Sequence, residues 1–526
     1  MKKLLEISLG VVTSVGGFLE VGSMATAAQA GALFGFQLIW AVVLGTICII
    51  FLVEMAGRFA AVSHHTIADG IRERFGFNAF ILPLLATLLV NFLVLSAEIG
   101  GVAIAAELAT GISFQWWALP VAFLAWLLLW KGTFGLIEKG VSMLGLVTLC
   151  FVVGAVMLRP EWKEVAVGAV PSLPHHDTAK YWFMAVSILG ASISPYLFMF
   201  YSSGAIEDQW DKSYLGTNRA IAGLGMSFGG TISVGVLIVA ALVLGAHGVA
   251  EVDDYNQLPL MLIPIFGFWG FVLFVASLAI ACFGAALEVA LQQAYLVAQG
   301  FGWNWGEDLK PRDDPGFSLA YTLTLFLAAI PIVLGLDPLK LTIFSMALTA
   351  ASLPLTVVPF LFLLNDERYV GEHRNGPHFE RGRDLRHLAR LRAGGSDRSA
   401  ADIRRHLMQL LRDILDKQVV DREQVKIGKV DGLVAELRRG KPPKVVAIEL
   451  GSISLARRLG VVPGRWTARL AARLSGKRQA RPHRIGWNKV RDIGVDIEFD
   501  IDVRRTRIFS WQDWLREHVV GRIPGA

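Results

Sequence analysis

A carboxylate set among glycines inside an apolar run is the first feature with chemical consequence: Gly16-Gly17-Phe18-Leu19-Glu20-Val21-Gly22-Ser23-Met24-Ala25-Thr26. A charged side chain at bilayer depth costs roughly 2.5–3.5 kcal/mol on insertion scales, so such an acid faces a bundle interior, a water-filled cavity or an ion path. Glycines on both sides permit an unwound segment whose freed carbonyls also face a cation, and backbone of that kind is tolerated in a membrane only beside protein or water. The alternative is an acid paired with a structural cation, but no Lys, Arg or His lies in the same apolar run. A second interruption stands at Gly190-Ala191-Ser192-Ile193-Ser194-Pro195-Tyr196, where the proline removes a backbone donor and breaks or kinks a helix.

Other polar residues in apolar surroundings carry less. Glu54 precedes Arg58 by one helical turn, which predicts a local ion pair. Glu98 has no such neighbour and is a candidate for the aqueous path. Glu288, close to Gln292 and Gln293, reads as an interhelical hydrogen-bonding group. His64 and His65 read as interface residues on different helix faces. His175, His176 and Asp177 follow Pro174 in a loop, too few ligands for a metal site.

The elements that must position these groups are membrane spans. Of 526 residues, 54% are hydrophobic and 18% charged, with a mean hydropathy of +0.51, which excludes an ordinary soluble enzyme. Apolar runs of spanning length fall at 8–30, 36–58, 79–106, 114–130, 140–158, 181–202, 220–246, 264–298, 317–335 and 339–364, about ten spans. With the N-terminus inside, Arg58, Arg72, Arg74, Lys131, Lys139, Lys212, Arg219, Lys310 and Arg312 fall in cytoplasmic loops, while Glu251, Asp253 and Asp254 fall outside. That bias predicts both termini in the cytoplasm and a multi-pass protein of the cytoplasmic, or inner, membrane. The first run lacks a small-residue cleavage site and continues into the polytopic pattern, so it is no removable signal. Cys48, Cys150 and Cys282 sit in apolar runs without CxxC spacing and read as small buried hydrophobes.

Interrupted helices at the first and sixth of ten spans occupy corresponding places in two five-span halves, the sequence pointer to an inverted-repeat transporter with a midplane site. These residues resemble the Nramp family of divalent metal transporters over most of residues 1–364. The family carries Asp-Pro-Gly-Asn in its first span where Glu20-Val21-Gly22-Ser23 stands here, and Ala-x-x-Met-Pro-His in its sixth where Ala191-Ser192-Ile193-Ser194-Pro195-Tyr196 stands here. The third-span glutamate is kept as Glu98, the aspartate three residues earlier is Leu95, and the tenth-span glutamine falls near Met346 or Ser352, before Pro354. These departures resemble those of the Nramp-related magnesium transporters. The resemblance implies an all-α polytopic fold, a LeuT-type five-plus-five inverted repeat with broken first and sixth helices. It further implies Glu20, Ser23 and Ser194, with the carbonyls of Gly17 and Ala191, as metal ligands, and Glu98, Tyr196, Tyr201 and Met346 along the path or at its gates. Thioether sulfur suits softer metals and oxygen suits magnesium and manganese, so serine in place of methionine at Ser194 removes a reason to prefer soft ions. Magnesium keeps several waters, for which a site with one carboxylate and two hydroxyls leaves room.

Charge density changes near Asn365, which divides the chain into a transporter domain over 1–364, a basic linker and helix over 365–415, and a cytoplasmic domain over 416–526. Residues 366–400 are rich in Arg, Gly and Ser, and Ala401–Leu415 has helical periodicity. Gln418–Asp421, Val425–Gly432 and Val445–Ile448 alternate as strands. With Trp487–Ile493 they resemble a PRC-barrel, a small β-barrel module of regulatory contexts, interrupted by a basic helical insertion from Ser454 to Ala480. No Walker loop, nucleophile elbow or metal-hydrolase motif is present, so the chain is not read as an enzyme. The expected function is secondary transport of Mg2+ and/or Mn2+ by alternating access without proton coupling. The expected partners are that ion, the bilayer and a regulator at the C-terminal domain, with no nucleic acid and no cofactor. Two alternatives are a carrier of this fold for an organic solute and a membrane-tethered regulator acting through the barrel.

Overall fold

The computed structural model describes residues 20–131, 140, 143–247, 255–307, 309–375, 413–475, 481–502, 506 and 508–526. The apolar part forms α1 (Val21–Phe34), α2 (Ile39–Ser63), the amphipathic α3 (Ile67–Phe75), α4 (Phe77–Thr110) and α5 (Phe114–Lys131). It continues through α6 (Cys150–Met157), α7 (Trp162–Gly168), α8 (Thr178–Ser192), α9 (Pro195–Glu207), α10 (Leu215–Val243), α11 (Phe268–Phe301), α12 (Pro315–Val333) and α13 (Pro338–Leu363). Among the described residues eight stretches are long and apolar enough to cross a membrane, and nine when the bent pair Met143–Met157 and Trp162–Gly168 counts as one. The expected first and second spans share one 43-residue stretch, Val21–Ser63, in which the turn Gly35–Leu38 separates α1 from α2.

Local chemistry explains where the interrupted helices stop. α8 ends at Ser192, Ile193 leaves helical geometry, and Ser194 is the extended N-cap of α9 with Pro195 at its first position. Proline is suited to that position because its missing N–H is one that the helix start would leave unpaired. α1 begins after Glu20, also extended, while Gly17 and the rest of the first half of that span lie outside the described residues. α1 is rich in Ala and Gly and is buried nearly all round, as expected of a helix enclosed by others. Gly190 lies against the backbone carbonyl of Met346, where any Cβ would collide, and so sets the close crossing of α8 with α13.

The C-terminal region holds β1 (Gln418–Val420), β2 (Lys426–Lys429), β3 (Gly432–Arg438), β4 (Lys441–Leu450), β5 (His483–Gly486), β6 (Val490–Ile493) and β7 (Ile497–Phe499). The expected barrel is not closed. The strands form two sheets, β2-β1-β7-β6 and β3-β4-β5. Charges such as Lys426, Glu436, Arg438 and Arg491 line the edge strands, a recognised block to edge pairing, and two bulges interrupt β3–β4. Val419, Ile427, Val430, Ile448, Ile485, Ile497 and Phe499 form the small core between them. The expected basic insertion is present as α14 (Ser452–Leu459) and α15 (Val461–Ser475), and α16 (Ser510–His518) follows the sheets. Residues 401–412 of the expected linker helix lie outside the described residues.

α3 is the keel on which this region sits. Arg72 donates from Nε to Asp416 Oδ1 at 3.2 Å, from Nη1 to the Gly300 carbonyl at 2.8 Å, and from Nη2 to Asp431. Lys429 lies 2.6 Å from Asp69 and 3.2 Å from Glu73. Asp416 also accepts the Phe77 N–H at 3.0 Å, so a carboxylate from the C-terminal region caps α4. His64 and His65 do not share a helix: His64, with φ +56°, closes α2, and His65 reaches Asp496 at 3.3 Å and Glu73 at 3.5 Å. The three groups come within 4.8 Å of one another, but Lys417 and Lys429 already supply positive charge to Glu73, which makes this an interdomain ion cluster rather than a cation site.

Burial alone would lower the pKa of His65, but Glu73 and Asp496 outweigh it and push the value up to about 9 from 6.5. A pKa raised on folding contributes stability that is complete below about pH 6.5 and is lost as pH rises through about 9, worth on the order of 3 kcal/mol at most. Thermal melting of the solubilised protein is expected to fall between pH 7 and 9.5, and His65→Gln to show a shallower fall with Glu73, Asp69, Asp496, Lys417 and Lys429 intact.

Candidate metal centre

Two half-helices start at the same place. Glu20 is the N-cap residue of α1 and is buried. Its Oε2 accepts a hydrogen bond from the Tyr196 hydroxyl at 2.8 Å and its Oε1 one from the Ser194 hydroxyl at 3.3 Å, both from the start of α9. From α4, Glu98 accepts the backbone N–H of Val21 at 3.1 and 3.3 Å to its two oxygens. Each acid is thereby held at the positive, donor-rich end of a helix. Among the described residues no Lys, Arg or His forms an ion pair with Glu20 or Glu98.

The break before α9 also frees a backbone carbonyl. The carbonyl of Ala191, in the last turn of α8, would bond the N–H four residues on, but that residue is Pro195, which has none. Glu20 and Glu98 thus meet at the start of α1 with the hydroxyls of Ser194 and Tyr196. A buried charge left without a partner costs several kcal/mol, and the donor set is anionic and oxygen-rich, which fits a hard divalent cation.

The remaining expected residues fall into distinct places. Ser23 braces the turn, its hydroxyl donating to the Glu20 carbonyl at 2.9 Å and accepting the Glu20 N–H at 3.2 Å. Met346 is fully buried against α1: a Cβ on Gly22 would stand 2.6 Å from its sulfur. Tyr201 is not brought to the Glu20 cluster; its hydroxyl donates to Asn218 Oδ1 at 3.0 Å, and Asn218 in turn donates to the Glu54 carbonyl at 2.9 Å. The expected Glu54–Arg58 pair is present at 3.1 Å.

Sequence reading did not assign Cys282, Asn91 or Gln292 to this region, and read Glu288 only as an interhelical hydrogen-bonding group. Cys282, read as a small hydrophobe, hydrogen-bonds Glu98 and packs at Gly101. Glu288 lies within electrostatic reach of Glu98 and Tyr196. Asn91 and Gln292 are buried, and among the described residues neither side-chain amide meets a hydrogen-bond partner. The last two had a legible signal, since Asn91 stands seven residues before Glu98 and Gln292 four after Glu288, each pair on one helix face. Cys282 had none.

The model of the Nramp family, described as natural resistance-associated macrophage protein-like, matches residues 10–381. The divalent metal cation transporter MntH of Aeromonas hydrophila subsp. hydrophila is 25% identical over 370 residues, covering 69% of this chain and 87% of its own. A crystal structure of a mutant manganese transporter from Eremococcus coleocola superposes with a TM-score of 0.58 at 20% identity, over 71% of this chain and 82% of that one. The same transporter in complex with an aromatic bis-isothiourea compound gives 0.56 at 21% identity over the same shares.

The contact of Met346 with Gly22 makes a stability prediction. Gly22→Ala is expected to cost about 1–3 kcal/mol by overpacking, and Met346→Ala about 2–5 kcal/mol by leaving a cavity. The double variant should cost less than their sum, by roughly 0.5–3 kcal/mol; additive losses in thermal melting would show that the two side chains do not meet.

Proposed function

The chain belongs to the Nramp family, whose members are metal ion transporters and not enzymes, and from that premise we propose that it carries Mn2+ and/or Mg2+ by alternating access around the two interrupted helices. The single observation that carries this reading is the pair of buried carboxylates, Glu20 and Glu98, with no basic partner among the described residues and with the hydroxyls of Ser194 and Tyr196 beside them. A divalent ion is the countercharge such a locus lacks. Glu20 and Ser194 are proposed as direct or water-mediated ligands with the Ala191 carbonyl; Gly17 is proposed to add its carbonyl, and Ser23 to hold the α1 turn from which Glu20 projects. Tyr196 and Met346 line the locus, and the buried amides of Asn91 and Gln292 extend it as a polar route. The positive-inside pattern supports both termini in the cytoplasm of a cell bounded by this membrane.

Among the described residues the side chains that donate to the Glu20 carboxylate, Ser194 and Tyr196, do so through hydroxyls, and Ser194 stands where the family pattern has methionine. Ions that favour oxygen are therefore the proposed cargo. Transport is proposed not to be obligatorily coupled to protons, because Leu95, Tyr196 and Tyr201 occupy the places of the titrating groups in the family pattern. The membrane potential alone suffices: one charge across 100 mV is worth about 2.3 kcal/mol and two about 4.6, a roughly thousandfold accumulation.

The purified protein in liposomes, with a metal-sensing dye, an internal pH dye and an imposed potential, tests this reading. Mn2+ and Mg2+ uptake without metal-dependent acidification of the lumen is expected. Acidification abolished by Glu98→Gln would overturn the uncoupled mechanism, and absence of divalent flux would overturn the transport reading in favour of an organic solute or a regulatory role. Ser194→Met should raise competition by Cd2+; unchanged competition would show that Ser194 does not face the ion.

A further inference from the structure

The surface of the C-terminal region carries one helix built unlike the rest. On α15, Val462, Trp466 and Leu470 follow one another at four-residue spacing and are 65%, 68% and 55% exposed. Beside them, at the same spacing, runs a second exposed row of Arg465, Arg469 and Arg473. The inward side is made of small residues, with Gly464 buried against Arg457 of α14. A solvated helix has no use for an exposed tryptophan between a valine and a leucine, and contiguous apolar surface rimmed by polar groups marks an interaction site.

Its position in the molecule says what covers it. Arg458, two residues before the chain turns at Gly460 into α15, pairs with Asp416 at 2.7 Å and stands over the Phe77 ring at 5.8 Å. Phe77 is the first residue of the spanning helix α4, whose exposed leucines further along, Leu82, Leu85 and Leu89, form an apolar flank suited to lipid. α15 therefore starts at the foot of a membrane span. Apolar residues and tryptophan on one row with arginine on the adjoining row are the composition of a helix lying in the headgroup plane of an anionic bilayer.

We propose that α15 docks on the bilayer surface around its own transporter domain, with Val462, Trp466 and Leu470 entering the boundary between headgroups and acyl chains and Arg465, Arg469 and Arg473 on anionic lipid phosphates. The occupant is the lipid surface and not a protein partner, because the bilayer that holds α4 already lies beside Phe77 and carries the complementary charge on its cytoplasmic leaflet. The contact ties the ion cluster around α3, and through Asp416 the cap of α4, to the lipid composition of the membrane.

Hydrogen–deuterium exchange of the full chain in nanodiscs tests this, comparing phosphatidylcholine alone with phosphatidylcholine mixed with phosphatidylglycerol. Amides of residues 461–473 are expected to exchange several-fold more slowly in the anionic discs, and high salt should remove the difference. The triple variant R465E/R469E/R473E should lose the protection, since each basic residue near such a surface is worth about fivefold in association. Trp466→Ser should weaken it in both lipids. Exchange in β4 reports whether the variants keep their fold; if the triple variant does not, the wild-type comparison decides by itself. Equal exchange of residues 461–473 in the two lipids, or protection that survives in a folded triple variant, would overturn the proposal.

Discussion

Burying Glu20 and Glu98 together, with no basic side chain beside them among the described residues, is the constraint that the transporter domain is built to meet. Neither acid could be held by an ordinary continuous helix, whose N–H groups are already spent on its own carbonyls. The helix start at Glu20 frees the Val21 N–H for Glu98, and the break at Ser194 brings two hydroxyls to Glu20. Packing follows from the same need. α1 is built of small residues so that neighbouring backbones approach the locus, and Gly190 lets α8 and α13 cross there without a side chain between them. What the described residues do not supply there is a basic partner, and that is the ground on which a cation is proposed as the countercharge.

The second fixed point is α3. Arg72, fully buried, joins Asp416, Asp431 and the Gly300 carbonyl, so the end of α11 and the C-terminal strands are fastened through one guanidinium. Removing it would leave Asp431 buried without a cation while Asp416 keeps Arg458, a loss of the order of 3–5 kcal/mol. Because Asp416 also caps α4, the helix that bears Glu98 at the site is the one the C-terminal region grips at its foot. The two parts of the chain are thus joined along a single rigid element.

The interruptions at Glu20 and Pro195 were legible because each is a local contradiction: an acid in an apolar run, a proline in a helical pattern. The same locality explains Glu54 with Arg58, and Asn91 on the face of Glu98. What a one-dimensional reading could not supply was contact between distant stretches. Cys282 shows nothing in its own run to mark a hydrogen bond to Glu98, and Tyr201, five residues past Tyr196, turned out to belong to the Asn218 network because nearly one and a half helical turns separate them. The alternating pattern after Asn365 located β1, β2 and the core of β4, yet alternation reports which side a residue faces and not whether the sheet closes. The charged edges and bulged β3–β4 hairpin kept two sheets apart where a barrel was expected.

The account turns on Glu20 as the countercharge to a bound divalent ion, and equilibrium binding of Mn2+ to the purified full chain, followed by isothermal titration at fixed pH, tests this most directly. Saturable binding of one ion per chain is expected for the wild type and its loss for Glu20→Gln, a variant that keeps the side-chain volume and a hydrogen-bond acceptor for Tyr196 while removing the charge. Undiminished binding by a Glu20→Gln protein that melts as the wild type does would contradict the account.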